Sequence, residues 1–148
     1  MDTVFVVLHV VSGVFLVGPM AILPMVGLRT LRTGDAGAVQ ATAKSVRLFT
    51  LLSLIVVVLG FGALGMSDPK DHASFSSTWV WLSLVAYVVA MVINLVVVVP
   101  AIRRSGESLV AGGATAGEKA PGYSRISAGS GVSALLLVLI VVLMVWKP

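Results

Sequence analysis

Four stretches without a charged side chain, Thr3–Leu28, Leu48–Ser67, Ala73–Ile102 and Ile126–Trp146, occupy about two thirds of this 148-residue chain. Each is long enough to cross a bilayer as a helix, which takes ~20 apolar residues at 1.5 Å rise per residue. An apolar helix of that length has few alternatives, because its backbone is satisfied internally while its side chains need hydrocarbon around them. The composition agrees: 58% of residues are hydrophobic, 11% are charged and the mean hydropathy is +1.09. A soluble domain carries about a quarter charged residues. The expectation is one integral membrane domain over residues 1–148, an all-α bundle with helices at about 3–28, 47–67, 77–102 and 125–146.

The N-terminus does not read as a cleaved leader. Asp2 stands where a secretory signal carries Lys or Arg, and the first run exceeds the 7–15 apolar residues of a signal core. Cysteine is absent, which excludes disulfides, iron–sulfur clusters and thiolate metal sites. The net charge of +4 is not a nucleic-acid signature, because the charges sit in short loops beside the spans. There they set orientation. The first loop holds Arg29, Arg32, Lys44 and Arg47; the second holds Lys70 against Asp68 and Asp71; the third holds Arg103, Arg104, Lys119 and Arg125. Positive residues mark cytoplasmic loops. Loops one and three are thus expected inside and both termini outside, with Trp79, Trp81 and Trp146 at the outer interface.

The loops differ in character. Asp68-Pro69-Lys70-Asp71-His72 reads as a polar turn, where Pro69 cannot continue the second helix. Leu109–Gly122 is rich in Gly and Ala and reads as a mobile connection. In the first loop, Gly34 or Asp35 is a candidate start for a short helical extension through Ala41–Arg47. A faint echo links Arg32-Thr33-Gly34-Asp35, after Pro24, with Arg104-Ser105-Gly106-Glu107, after Pro100. A duplicated hairpin would produce it, and so would the common recurrence of Arg and Gly in cytoplasmic loops.

Gly60-Phe61-Gly62-Ala63-Leu64-Gly65 matches the dinucleotide-binding pattern GxGxxG. That pattern works only between a strand and a helix, where a helix N-terminus meets pyrophosphate. Inside an apolar helix, Gly60, Gly62 and Gly65 read instead as a packing surface that lets another backbone approach. Ser127, Gly129, Gly131, Ser133 and Ala134 form a similar surface at the start of the fourth helix.

Helical rise sorts the polar residues by depth. His9 lies roughly 8 Å below the outer end of the first helix, level with Ser83 and somewhat above Tyr87. Asn94 lies roughly 15 Å deeper than His9, level with Ser53 and Ser133. An amide in hydrocarbon needs a partner, so Asn94 is expected to bond one of those hydroxyls.

His9 is the single titratable side chain near neutral pH in the four runs, and two readings compete. In the functional one it ligates haem or handles protons, as intramembrane ionisable residues often do. In the other it is a neutral ring bonded to Ser83, Tyr87 or its own helix. A second intramembrane histidine for a bis-His haem is missing, His72 lies in a polar loop, and Met20 and Met25 are more than ~15 Å away at helical rise. No Asp or Glu lies in any run, which removes the usual carboxylate of an ion-coupled carrier and any acid to orient His9 in a catalytic triad. Gly18-Pro19 and Pro24 read as a kink in the first helix; lining a substrate path is the alternative.

The segment Leu8-His9-Val10-Val11-Ser12-Gly13-Val14-Phe15-Leu16-Val17-Gly18, with a histidine early in an outward-starting helix and a glycine one helix face later, resembles the small membrane proteins grouped as DUF2269. The match is specific over about the first thirty residues. It implies a four-helix bacterial protein of about this length. More distantly, the segment is similar to the His-bearing first helix of CopD-type and HemJ-type membrane proteins, the latter linked to haem. From that likeness His9 alone carries over, as a haem ligand.

Together these features lead to an expected four-transmembrane-helix bundle, N-out and C-out, in the plasma membrane. The expected function is non-catalytic: an accessory or assembly subunit of a larger membrane complex, or a homo-oligomer. No cofactor is expected, and the partners are the lipid bilayer and other membrane subunits or a second copy. The alternatives are a b-type haem or quinone-linked redox protein using His9, and a small-molecule carrier.

Overall fold

A computed structural model of the chain describes residues 2–66, 74–112 and 122–148. Within them lie four helices long and apolar enough to span a membrane: α1 (Thr3–Thr33), α2 (Ala36–Gly65), α3 (Thr78–Val110) and α4 (Tyr123–Trp146). At 1.5 Å per residue the first three reach about 45–50 Å, against ~30 Å of hydrocarbon. Three helices therefore continue past the bilayer core at the end carrying Arg29, Arg32, Lys44, Arg47, Arg103, Arg104 and Arg125, called here the basic end.

The extension follows from local chemistry. Thr33 ends α1 because Gly34 adopts the left-handed region (φ 71°), and its N–H reaches the Leu31 carbonyl at 3.4 Å. Asp35 then caps α2, with Oδ1 accepting the Ala38 N–H at 3.0 Å. The link between α1 and α2 is thus two residues, and Ala36–Arg47 is helix, as the Asp35 start implied. Leu109 and Val110 likewise belong to α3, so the Gly/Ala-rich connection begins only at Ala111. The Asp68–His72 turn, Lys70 and Lys119 lie outside the described residues.

Two helices contain wide turns. Gly13–Val17 in α1 and Ile93–Val98 in α3 are π-helical, and each is followed two residues on by a proline, Pro19 and Pro100. Proline has no N–H to donate and its ring collides with the carbonyl four residues back; widening the preceding turn relieves both problems. Pro24, by contrast, is buried inside regular helix. The structural counterpart of Pro100 is therefore Pro19, not Pro24. Arg104–Glu107 lies within α3, whereas Gly34 terminates α1. The two halves of the sequence echo therefore occupy different places, and the echo does not mark equivalent positions of two hairpins.

Packing is densest at the basic end. Leu31 of α1, Val39 and Val46 of α2, Val98 and Ile102 of α3 and Ile126 of α4 form one buried cluster. Gly27 and Gly106 permit it: a Cβ on Gly27 would stand 3.0 Å from Ile102 Cδ1, and one on Gly106 would stand 3.1 Å from Val39 Cγ1. Gln40 Nε2 donates to the Arg103 carbonyl at 3.2 Å, and Arg32 donates to the Tyr123 hydroxyl at 3.1 Å, tying α2 to α3 and α1 to α4. Nearer the middle, Met20, Ala90 and Leu137 join α1, α3 and α4.

Towards the opposite end the arrangement loosens. The first eleven residues of helix, Asp2–Ser12, pack principally on α2, and the first half of α3 packs principally on α4. Only 6% of the most apolar window of α1 is buried, against 39% for α3. The difference places α1 at the margin of the bundle, with Val6, Val7, Val10, Val11, Val14 and Phe15 left to the surroundings. In a bilayer those surfaces meet lipid tails, which are as apolar as the side chains themselves.

Candidate functional site

His9 lies where α1 leans on α2. Its Nδ1 stands 2.8 Å from the main-chain oxygen of Val56. A carbonyl can only accept, so Nδ1 carries the proton, and in the neutral ring Nε2 is the lone-pair nitrogen. The same Val56 oxygen is the helical acceptor for the N–H of Gly60, one turn along α2. Gly60 is what admits the ring: a Cβ there would stand 2.8 Å from His9 Cε1 and 3.1 Å from Nδ1. Gly62, two residues further outward, repeats the device for Phe5, one turn from His9 on α1: its Cβ would stand 2.8 Å from the Phe5 ring. Ser12 Oγ donates to the His9 carbonyl at 3.0 Å, just before the π turn that starts at Gly13.

In the first half of α1 the half-buried face includes the stripe Phe5, His9, Ser12 and Leu16, at the four- and three-residue spacing that keeps side chains on one face. His9 is half-buried within it. Its partner differs from the hydroxyls expected above. Tyr87 is bonded to Ser53 at 2.6 Å, and Ser83 Oγ is buried without a partner. Both sit on α3, whose first half belongs with α4, so neither is placed to meet α1. The level of this contact on α2, though not the facing of the helix, was legible in the sequence. His9 is six residues from the start of α1 and Gly60 five from the end of α2, which puts them at one level in an antiparallel pair.

Asn94 also departs from expectation. It is fully buried, and neither Oδ1 nor Nδ2 has a partner; Ser133 Oγ has none either. The register is as anticipated: Ala90 clusters with Leu137 one turn above, and Val98 lies against Gly129 one turn below, leaving Asn94 level with Ser133. The bond is missing because the hydroxyls are otherwise disposed. Ser53 donates its single proton to the Thr50 carbonyl at 2.6 Å and accepts the Tyr87 hydroxyl proton, so it has no proton left to give Asn94 Oδ1. Asn94 also sits in the Ile93–Val98 π turn, which rotates side chains away from α-helical register. Asn94, Ser133 and Ser83 thus mark a line of unpaired polar atoms in the α3–α4 seam.

The glycines divide by what they face. Gly60 and Gly62 receive α1 of the same chain, and Gly129 receives Val98 and Ile93 of α3. Among the described residues, Gly65 and Gly131 have nothing within 4 Å of where a Cβ would be. Around Gly131, Ser127 and Ala128 are exposed, so small residues on α4 point away from the bundle. Met20 is buried against Ala90 and Leu137, while Met25 is 45% exposed; neither approaches His9. Among the described residues, no three His, Cys, Asp or Glu side chains gather as metal ligands. Sequence reasoning used Arg47, Arg103 and Arg104 for topology alone; together they line a pocket at the basic end.

Comparison with curated proteins found no match, and comparison with solved structures found none. The family comparison did: the model of DUF2269, described as a predicted integral membrane protein, matches residues 3–148. A match over nearly the whole chain, on four apolar helices of spanning length, places this protein in the DUF2269 family of predicted integral membrane proteins.

Proposed function

We propose that this protein is a non-catalytic subunit of the bacterial plasma membrane that works by association, with partner membrane proteins or with a second copy of itself. Its basic end faces the cytoplasm and both termini face outward, as Lys and Arg placement argues. One observation carries the reading: no described residue of the chain packs on the small-residue face of α4 around Gly131. Glycine and serine gain nothing from contact with lipid tails, whereas they let a second helix approach closely. Gly131→Leu should leave the bundle intact, because no described atom stands within 4 Å of the added Cβ and the neighbouring Ser127 and Ala128 are exposed, and should abolish association. Co-purification in mild detergent tests this, with Gly129→Leu as the internal-clash control. Unchanged association in Gly131→Leu, or none in the wild type, removes the proposal.

A second reading has one specific observation in its favour. The Nδ1–H of His9 is fixed on a backbone carbonyl, the arrangement that orients the other ring nitrogen of a histidine towards an axial metal position. The redox alternative would use that Nε2 as a haem ligand, either five-coordinate or across a dimer. An absorption spectrum of purified protein, with and without added haemin, decides it. A Soret band that His9→Ala abolishes supports haem, and a featureless spectrum excludes it.

A further inference from the structure

At the basic end, on the flank where α2 and α3 meet, lies an open pocket of about 500 Å³. Its upper wall is Arg47 from α2 with Arg103, Arg104 and Glu107 from α3; its lower wall is Leu51, Leu95 and Val99. The residues belong to two helices held in fixed relation by the Gln40–Arg103 hydrogen bond and by the Gly106 approach to Val39. Their vertical order is informative. Arg103 stands eight residues beyond Leu95 on α3, so charge and apolar floor are separated by roughly 12 Å along the helix axis. The pocket therefore runs from the level where the helices leave the hydrocarbon down into it.

We propose that this pocket binds one anionic phospholipid of the leaflet at the basic end, phosphatidylglycerol in chemical class. The phosphodiester sits among the Arg47, Arg103 and Arg104 guanidiniums, whose planar donors suit phosphate oxygens. One acyl chain lies along Leu51, Leu95 and Val99. Glu107 is one turn beyond Arg103 and Arg104, at the rim, and accepts from the headgroup glycerol hydroxyls. A zwitterionic choline headgroup offers no donor to Glu107 and cancels the charge that the arginines recognise. Free phosphate makes no use of the apolar floor. Basic pockets between spanning helices are recognised sites for anionic headgroups.

The test is native mass spectrometry of the full chain in detergent, titrated with phosphatidylglycerol, phosphatidylcholine or inorganic phosphate. The triple variant Arg47→Gln/Arg103→Gln/Arg104→Gln is compared with Lys44→Gln/Arg125→Gln, which removes charge from the same end outside the pocket. All three arginines are exposed, so their replacement spares the core, and Arg103→Gln alone serves should the triple variant misfold. One phosphatidylglycerol should bind the wild type, about tenfold or more weaker in the triple variant and within about twofold of wild type in the control. Equal loss in the control reduces the effect to general electrostatics and overturns the site. Equal retention of phosphatidylcholine, displacement of the lipid by millimolar phosphate, or no bound phospholipid overturns it as well.

Discussion

Replacing Gly60 with alanine adds one methyl group at the point where α1 is closest to α2. The new Cβ would stand 2.8 Å from His9 Cε1 and 3.1 Å from Nδ1, closer than carbon atoms tolerate. The ring has to withdraw, and its 2.8 Å bond to the Val56 carbonyl breaks. Hydrogen bonds between membrane helices are worth about 0.6 kcal/mol, and forcing an extra methyl into a packed contact costs typically 1–3 kcal/mol. Against that, alanine is about 1 kcal/mol more favourable than glycine in a helix. The net expectation is a destabilisation of about 1–2 kcal/mol. In a His9→Ala background nothing remains to collide with, so the same substitution should be neutral or stabilising by up to about 1 kcal/mol. The coupling between the two positions is then about 2 kcal/mol, within the range for contacting residues. Reversible unfolding of the four proteins in mixed micelles measures it. A Gly60→Ala effect of equal size with and without His9 would refute the clamp between these helices.

Other perturbations report on other parts of the bundle. Tyr87→Phe removes the hydroxyl bonded to Ser53 and should cost about 0.5–1.5 kcal/mol in the same unfolding assay. Asp35→Ala removes the cap on Ala38 and should cost about 1 kcal/mol, read as earlier hydrogen exchange in the first turn of α2. Asn94→Leu replaces an amide without partners by an apolar side chain of similar volume and should stabilise the protein by about 1–2 kcal/mol; a loss of stability would mean that the amide is satisfied. Gly106→Leu drives a side chain into Val39 and Gln40 and should cost about 2 kcal/mol or more, seen as a lowered unfolding midpoint.

How much could be read from the residues differs from element to element. The four helices followed from length and apolar composition, because a bilayer leaves a run such as Ile126–Trp146 few other conformations. The positions of polar residues along each axis followed from helical rise, and the level of Asn94 with Ser133 held. Rotation about the axis did not follow. A span apolar all round carries no periodicity to say which face is inward, and His9 was therefore paired with hydroxyls at its depth rather than with the Gly60 side of α2. The π turns before Pro19 and Pro100 shift facing again by part of a turn, which separates Asn94 from its expected partner. The extension of α2 back to Asp35 was legible because its cap is a local signal. The pocket of Arg47, Arg103 and Arg104 was not, since it depends on how two helices meet.

The account rests most heavily on the unused face of α4, and the mass of the assembly extracted directly into lipid nanodiscs tests it. Wild-type protein should carry, besides lipid, either further copies of its 15.3 kDa chain or a stoichiometric partner, and Gly131→Leu should carry one chain alone. A single chain in both would contradict it.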